Sequence, residues 1–335
     1  MRFNLVRQSL IPAFLTLLIL VVLTLSSAST ASIAEGADVR FGLTTEELPI
    51  LPFGAWIEGF QHQHPTASHW IGGFLLLFTG VTLGRLTVRY NLYGSGTCLA
   101  IPLYGMLMIG ALGCGHYLLA VVLSTLSTLA LKNLCMSHRN GFGFDRIFRG
   151  GMFLALTLLV EPTAAPLLVA LPMAVTHFRR TTRETIVAIS GLLFPIALLC
   201  YLNWALGGTL FAPLIALYRA FMAGEWLQAV LSSTLVERCF AGTLLLLTLL
   251  ATVLFRTNSY NINTKARHIL LFTSRLFWLL PTIFLLPAAS PILLAVLIAP
   301  ATLILPVLFV RIHQPLAQTL YLILLAGSLA LLFLA

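Results

Sequence analysis

The chain is a succession of apolar runs, each about as long as a membrane-crossing helix, separated by shorter polar stretches. A helix needs roughly 20 mostly apolar residues to cross the hydrocarbon of a bilayer. The runs that meet this description lie near residues 9–29, 69–86, 97–113, 116–132, 184–205, 239–256, 269–287, 290–310 and 315–335. The pattern therefore predicts an all-α, polytopic transmembrane helix bundle, organised as a single integral membrane domain over residues 1–335.

The stretch 150–177 is also apolar but is too long for one simple span. Glu161-Pro162 interrupts it, and both Pro162 and Pro166 disfavour a continuous helix. We expect two short helices joined at this break, as a broken-helix hairpin. With the hairpin counted as two, the chain has about eleven membrane segments.

Composition supports the same class of protein. Of the 335 residues, 59% are apolar and 9% are charged, with a mean hydropathy of +0.99. A soluble domain carries about 25% charged residues, so a water-facing surface cannot be assembled from this chain. The five cysteines are odd in number, widely spaced and without a C-x-x-C motif, which indicates neither a disulfide framework nor a zinc site.

The basic residues predict an orientation. If the N-terminus is cytoplasmic, 16 of the 19 lysines and arginines fall in cytoplasmic stretches, and Arg40, Arg219 and Arg238 are the exceptions. The positive-inside rule predicts this bias, and it requires the hairpin at 150–177. The net charge is +9, but the basic residues lie between apolar runs rather than on one face. No nucleic-acid partner is therefore expected. We predict a multi-pass protein of the bacterial cytoplasmic (inner) membrane.

The first segment has a second interpretation. Arg2 and Arg7, an apolar run and the small residues before Glu35 resemble a secretory signal peptide. The apolar run is long for that role, which favours a retained membrane anchor.

The first outward loop, residues 31–68, is a candidate site. It holds five of the ten acidic residues, and it ends with His62 and His64 before Pro65. Loops of this length are usually functional or disordered, and residues 52–60 are aromatic and amphipathic, which predicts a short interfacial helix. Glu58 and His62 are four residues apart, a spacing compatible with a metal ligand pair. A polar turn broken by Pro65 is the simpler interpretation, and we expect no metal and no cofactor.

A second outward segment, residues 206–238, reads as two interfacial helices with aromatic anchors. It contains Arg219 and Arg238, whose guanidinium groups match the geometry of a phosphate. The alternative for both arginines is simple snorkelling to the interface.

Glu161, at the tip of the hairpin, is the strongest candidate within the apolar segments. Ionisable groups there are costly and mark functional sites, and the apolar residues that precede Glu161 would desolvate it. Arg275, by contrast, is expected to snorkel to the cytoplasmic interface. The chain contains no phosphate-binding loop, no H-E-x-x-H and no G-x-S-x-G motif.

The stretch from Phe144 through Glu161-Pro162 to Arg180 resembles a recurrent element of the GT-C glycosyltransferases. It has a basic entry, a glycine-rich short helix, a break, a second short helix and a basic exit. These enzymes transfer sugars from polyprenyl-phosphate donors and carry a catalytic acid in the first outward loop, which often ends in His-Pro, as His64-Pro65 does here. The family commonly shows an Asp-Glu pair there, whereas this chain has Glu46-Glu47, with Asp38 alone.

The resemblance implies a function for these side chains. Glu46, Glu47 or Asp38 would deprotonate an acceptor hydroxyl, and Arg219 or Arg238 would hold the donor phosphate. Glu161, His62 and His64 complete the candidate set for binding substrate. The expected partners are membrane lipid, a polyprenyl-phosphate-linked substrate and other membrane proteins.

The whole chain also resembles an uncharacterised family of bacterial polytopic membrane proteins, through Asn91-Leu92-Tyr93, Pro102-Leu103-Tyr104 and the pattern from Pro291 to Pro306. That resemblance implies no activity. Two other functions therefore stay open: a non-catalytic membrane subunit of an envelope-assembly complex, and a transporter or flippase that uses Glu161.

Overall fold

The computed structural model describes residues 9–28, 53–112, 116–135, 143–222, 235–257, 262–285, 289 and 291–334. Within these ranges the protein is helical and has no β-strand. The α-helices are α1 (Leu10–Ala28), α2 (Phe53–Gln63), α3 (Pro65–Tyr90), α4 (Ala100–Leu112), α5 (Tyr117–Cys135), α6 (Phe144–Val160), α7 (Ala170–His177), α8 (Thr182–Ala205), α9 (Ala212–Met222), α10 (Leu235–Thr257), α11 (Thr264–Leu279), α12 (Leu294–Arg311) and α13 (Gln314–Leu334). Short 3₁₀ helices occupy Pro162–Val169, Leu280–Leu285 and Pro291–Leu293.

Helix boundaries follow local chemistry in the sequence. Pro65 occupies the first turn of α3, where its missing N–H costs nothing, and Asn91 ends that helix in the left-handed region, with φ 46°. Thr181 and Glu184 form a reciprocal capping box at the start of α8. These signals fix where two of the longest helices begin or end.

The predicted break at Glu161-Pro162 is present. The backbone of Glu161 is extended, at φ −137° and ψ 100°, and ends α6. The returning segment differs from a simple second helix, because eight residues from Pro162 adopt 3₁₀ geometry before α7 begins at Ala170. Pro162 and Pro166 lack the amide hydrogens that α-helical bonding needs, which accounts for the difference.

The hairpin returns the chain to the end of the bundle where it started. Arg180 Nη2, just after α7, donates to the Leu134 carbonyl oxygen at the end of α5, over 3.2 Å. Arg180 and Glu184 also line a small pocket together with Ile147, from the start of α6. Helices α6 and α8 are therefore parallel. The 3₁₀ segment and α7 run antiparallel to them and connect the end of α6 to the start of α8.

The packing of α6 on α8 depends on two glycines. A Cβ at Gly151 would lie 2.3 Å from the Ala188 carbonyl oxygen, and one at Gly191 would lie 2.2 Å from the Phe148 carbonyl oxygen. No real side chain tolerates such distances to a backbone atom. The two backbones are in direct contact, in the small-residue manner of membrane helices.

Helix α12 lies at the centre of the bundle. It packs against α3, α4, α5, α10, α11 and α13. Its residues from Leu294 to Phe309 are buried, including Pro300 and Pro306. The Tyr93 hydroxyl donates to the Leu303 carbonyl oxygen over 2.8 Å, so the loop after α3 is bonded to this central helix.

Helix lengths bear on the predicted number of membrane crossings. Each of the eleven predicted segments coincides with helical residues, but among the described helices six are both long and apolar enough to cross a membrane. These six are Pro65–Tyr90, Tyr117–Cys135, Thr182–Ala205, Arg238–Thr257, Leu294–Arg311 and Gln314–Leu331. The count of about eleven crossings is thus not confirmed. The all-helical class is confirmed, and several apolar helices are consistent with a membrane protein.

Candidate functional site

The bundle has two chemically different ends, because its helices run in defined directions. Helices α3 and α5 are parallel: Ser68 bonds Tyr117 near their starts, and Thr79 bonds Thr125 further along, at 2.8 Å. Helix α6 runs opposite to α5, since Gly150 packs against Leu134. The starts of α3 and α5 and the end of α6 therefore share one end of the molecule.

Polar side chains from three helices meet at that end, which we call the polar end. It comprises Glu58, Gln61, Ser68, His69, His116 and Tyr117. Glu58 Oε1, on α2, lies 3.1 Å from His116 Nδ1, just before α5, and the two side chains are only 17% and 15% exposed. This buried carboxylate oxygen accepts no hydrogen bond of good geometry from the described residues. Its polar contact is with the His116 ring, in a geometry that is not a full hydrogen bond.

Helix α2 is attached to α5 by a second contact. The Leu118 N–H, in the first turn of α5, donates to Gln61 Oε1 over 3.2 Å. The first amides of a helix have no intrahelical acceptor, so Gln61 caps α5 from another helix. The amphipathic helix α2 is thereby held across the start of α5, with Trp56 exposed.

Tyr117 organises the neighbouring side chains of α3. Its hydroxyl is hydrogen-bonded to the Ser68 hydroxyl and donates to the Pro65 carbonyl oxygen over 3.3 Å. The His69 ring stacks on the Tyr117 ring, with centroids 4.4 Å apart and planes 16° apart. A hydroxyl, a phenol and an imidazole thus lie at the same end of the bundle as the Glu58–His116 pair.

Glu161 belongs to the same end of the bundle. A Cβ added to Gly54 of α2 would lie only 2.4 Å from the Val160 carbonyl oxygen, so α2 contacts the backbone immediately before Glu161. Glu161 is 6% exposed, and the Thr163 hydroxyl donates to its Oε1 over 2.5 Å. The Glu161 carboxyl group is therefore buried at this end, with Thr163 as a hydrogen-bond donor.

The opposite end, which we call the basic end, carries Arg85, Arg89, Lys132, His177 and Arg180. Lys132 lies within electrostatic range of Arg85 and Arg89. Burial lowers the pKa of the Arg180 guanidinium, and the nearby charge of Glu184, 3.8 Å away, opposes that shift. Basic residues that the sequence assigned to different cytoplasmic stretches therefore do meet at one end.

The other predicted site residues are less connected. Glu46, Glu47 and Asp38 lie outside the described residues. His62 and His64 are exposed, and the His64 ring packs against Phe60 at 5.4 Å. No group of three potential metal-ligating side chains occurs among the described residues.

The two arginines predicted to hold a phosphate, Arg219 and Arg238, are on different helices. Arg219 is exposed on α9, which packs against α8 and the 3₁₀ segment after Glu161. Arg238 is exposed near the start of α10. Arg219 therefore lies on the helix that borders the Glu161 hairpin.

Sequence reasoning missed the central pair of the polar end. The spacing along α2 pairs Glu58 with His62, whereas the structure places Glu58 against His116, 58 positions along the chain. Spacing within one helix cannot identify such a pair. The only sequence signal is that Glu58 and Gln61 share a face of the predicted interfacial helix.

The chain matches no protein-family model, no curated protein and no solved structure. The fold and the site therefore define the class of the protein but no family. It is an all-helical protein with several apolar helices of membrane-spanning length and a polar site at one end of the bundle.

Proposed function

We propose that this chain is an integral protein of the bacterial cytoplasmic membrane that handles a lipid-linked saccharide at its polar end, in the manner of a GT-C glycosyltransferase. The observation that carries the proposal is the partly buried Glu58–His116 contact at the polar end, the end that also holds the buried Glu161. A carboxylate and an imidazole in contact are suited to moving a proton from a hydroxyl group.

The position of the pair supports a lipid-borne substrate. It is covered by α2, an amphipathic helix with exposed Trp56 and Phe53. Such helices lie at the level of lipid head groups. A substrate carried on a lipid would present its polar group at that level, and in this proposal it meets Tyr117 and His69 there.

In this proposal the acidic loop before α2 supplies further catalytic groups. Glu46, Glu47 or Asp38 activates the acceptor hydroxyl, as the GT-C resemblance implies, with Glu58 and His116 available as a proton relay. Arg219, on the helix beside the Glu161 hairpin, holds the donor phosphate, and Arg238 is a second candidate for that role.

Mass spectrometry of the lipids that copurify with the mildly solubilised protein tests the proposal. We expect a stoichiometric polyprenyl phosphate or polyprenyl-linked sugar on the native protein. Binding should be retained in Glu58→Gln, Glu46→Gln and Glu47→Gln, which remove proton transfer but not the donor site, and reduced at least about tenfold in Arg219→Gln, through loss of charge-assisted hydrogen bonds. Bulk phospholipid alone on the native protein would contradict the proposal and favour an assembly-complex subunit.

A further inference from the structure

A histidine and an arginine from two different helices are in contact at the basic end. His177 is the last residue of α7 and lies against α11. Its Nε2 is 2.9 Å from the His268 carbonyl oxygen, and its Nδ1 is 3.4 Å from Arg275 Nη1. The rings of Phe178 and Phe272 pack around it, with centroids 5.1 and 6.1 Å away.

These two contacts fix the proton on His177. A carbonyl oxygen can only accept, so Nε2 carries the hydrogen. A guanidinium can only donate, so Nδ1 must offer its lone pair to Arg275. The neutral Nε2–H tautomer alone satisfies both contacts. His177 therefore adds no charge here, and it holds one N–H group of Arg275 in a defined direction.

Arg275 is an unusual cation for its position. It lies about 16 Å along α11 from Thr264, at 1.5 Å per residue, and between Leu270 and Leu285 it is the one charged residue. Its side chain is exposed, and within the described ranges no carboxylate forms an ion pair with it. Of its five N–H groups, one is directed to His177, which leaves a guanidinium fork to bind a further acceptor.

His268 lies seven residues before Arg275, on the same face of α11, and is exposed, as are Arg267 on α11 and Arg179 just after α7. An arginine that only snorkels needs no acceptor to orient it, whereas this one is aimed by an imidazole that is itself bonded to the backbone. Such an arrangement suits an anion that offers two acceptor oxygens to the planar guanidinium, as a phosphate does.

We propose that Arg275, oriented by His177, binds a phosphate group at the surface where α7 packs against α11, at the basic end. The phosphate belongs either to an anionic lipid head group or to free inorganic phosphate. Basic pockets between membrane helices characteristically bind such head groups. This site is at the opposite end of the bundle from the polar end, so it is independent of the proposed function.

Native mass spectrometry of the delipidated full-length protein tests the site. Phosphatidylglycerol is titrated into the native protein and into Arg275→Gln, with phosphatidylcholine as the zwitterionic lipid. We expect the native protein to bind one phosphatidylglycerol at least about tenfold more tightly than Arg275→Gln, because a charge-assisted bidentate contact is lost. Arg256→Gln, which removes an exposed arginine at the end of α10, should bind as the native protein does.

A second variant separates binding from folding. Arg275→Lys keeps the charge and should bind more tightly than Arg275→Gln but less tightly than the native protein. Equal affinities for phosphatidylglycerol in the native protein, Arg275→Gln and Arg275→Lys would overturn the proposal. Displacement of the lipid by millimolar inorganic phosphate would identify free phosphate as a ligand, and resistance to displacement would identify the lipid head group.

Discussion

At the residue scale, the polar end contains two kinds of side chain. Gln61 is fully explained by structure, because it accepts from an amide that the helix itself cannot satisfy. The position of Glu58 has no such structural explanation, because its buried Oε1 contacts His116 without receiving a hydrogen bond from the described residues. A buried acceptor without a donor destabilises the fold. The contact with His116 therefore marks Glu58 as the polar side chain at this end that structure explains least.

The structural role of Gln61 is testable. Gln61→Ala leaves the N–H of the buried Leu118 without its acceptor, and we expect the free energy of unfolding to fall by about 1–2 kcal/mol. Thermal unfolding in detergent measures the change. Gln63→Ala is the matched control, since Gln63 is exposed on the same helix and should change stability by less than about 0.5 kcal/mol. Equal stability of the two variants would show that Gln61 does not cap α5.

At the element scale, the hairpin is the feature that sequence predicts best. Glu161-Pro162 breaks the helix because proline cannot supply an amide hydrogen, and a local rule of this kind is readable without a structure. The 3₁₀ geometry from Pro162 to Val169 was not predicted. It depends on two closely spaced prolines within a packed segment, for which periodicity gives no signal.

The contacts between elements were the part that sequence could not supply. Gly151 and Gly191 lie 40 positions apart, and nothing in their spacing shows that the backbones of α6 and α8 meet there. The same holds for Glu58 with His116 and for His177 with Arg275, which join helices distant in the chain. For Glu46, Glu47 and Asp38, outside the described residues, catalysis stays a prediction.

The α6–α8 contact makes a direct prediction about stability. Gly191→Ala places a methyl group against the Phe148 carbonyl oxygen, and the helices must separate to accommodate it. We expect a loss of about 1–3 kcal/mol in unfolding free energy. Gly242→Ala is the control, because a Cβ there meets no atom within 4 Å in α10. It should be neutral or slightly stabilising, as alanine is the better helix former.

If Gly191→Ala unfolded at the same temperature as Gly242→Ala, the close approach of α6 and α8 would be contradicted. A second glycine in the same contact provides an independent check. At Gly151 a Cβ meets the backbone of α8 in the same contact, so Gly151→Ala should destabilise comparably, and the double variant by less than the sum of the two single changes.

At the scale of the whole molecule, the separation of charges is the central property. Lys132 with Arg85 and Arg89, and Arg180 beside the end of α5, form the basic end, while Glu58, His116 and Glu161 lie at the other. The sequence predicted such a separation from the positive-inside rule. The returning hairpin makes it possible, since it places α6 and α8 parallel and their basic starts together.

The most direct test of this account is the accessibility of two single cysteines in a cysteine-free background. Asp145→Cys lies at the start of α6, near the basic end, and His62→Cys lies at the polar end; both native side chains are exposed. In intact spheroplasts, a membrane-impermeant maleimide should label His62→Cys, and should label Asp145→Cys only after permeabilisation. Labelling of both cysteines from the same side would contradict a bundle whose polar and basic ends face opposite sides of the membrane.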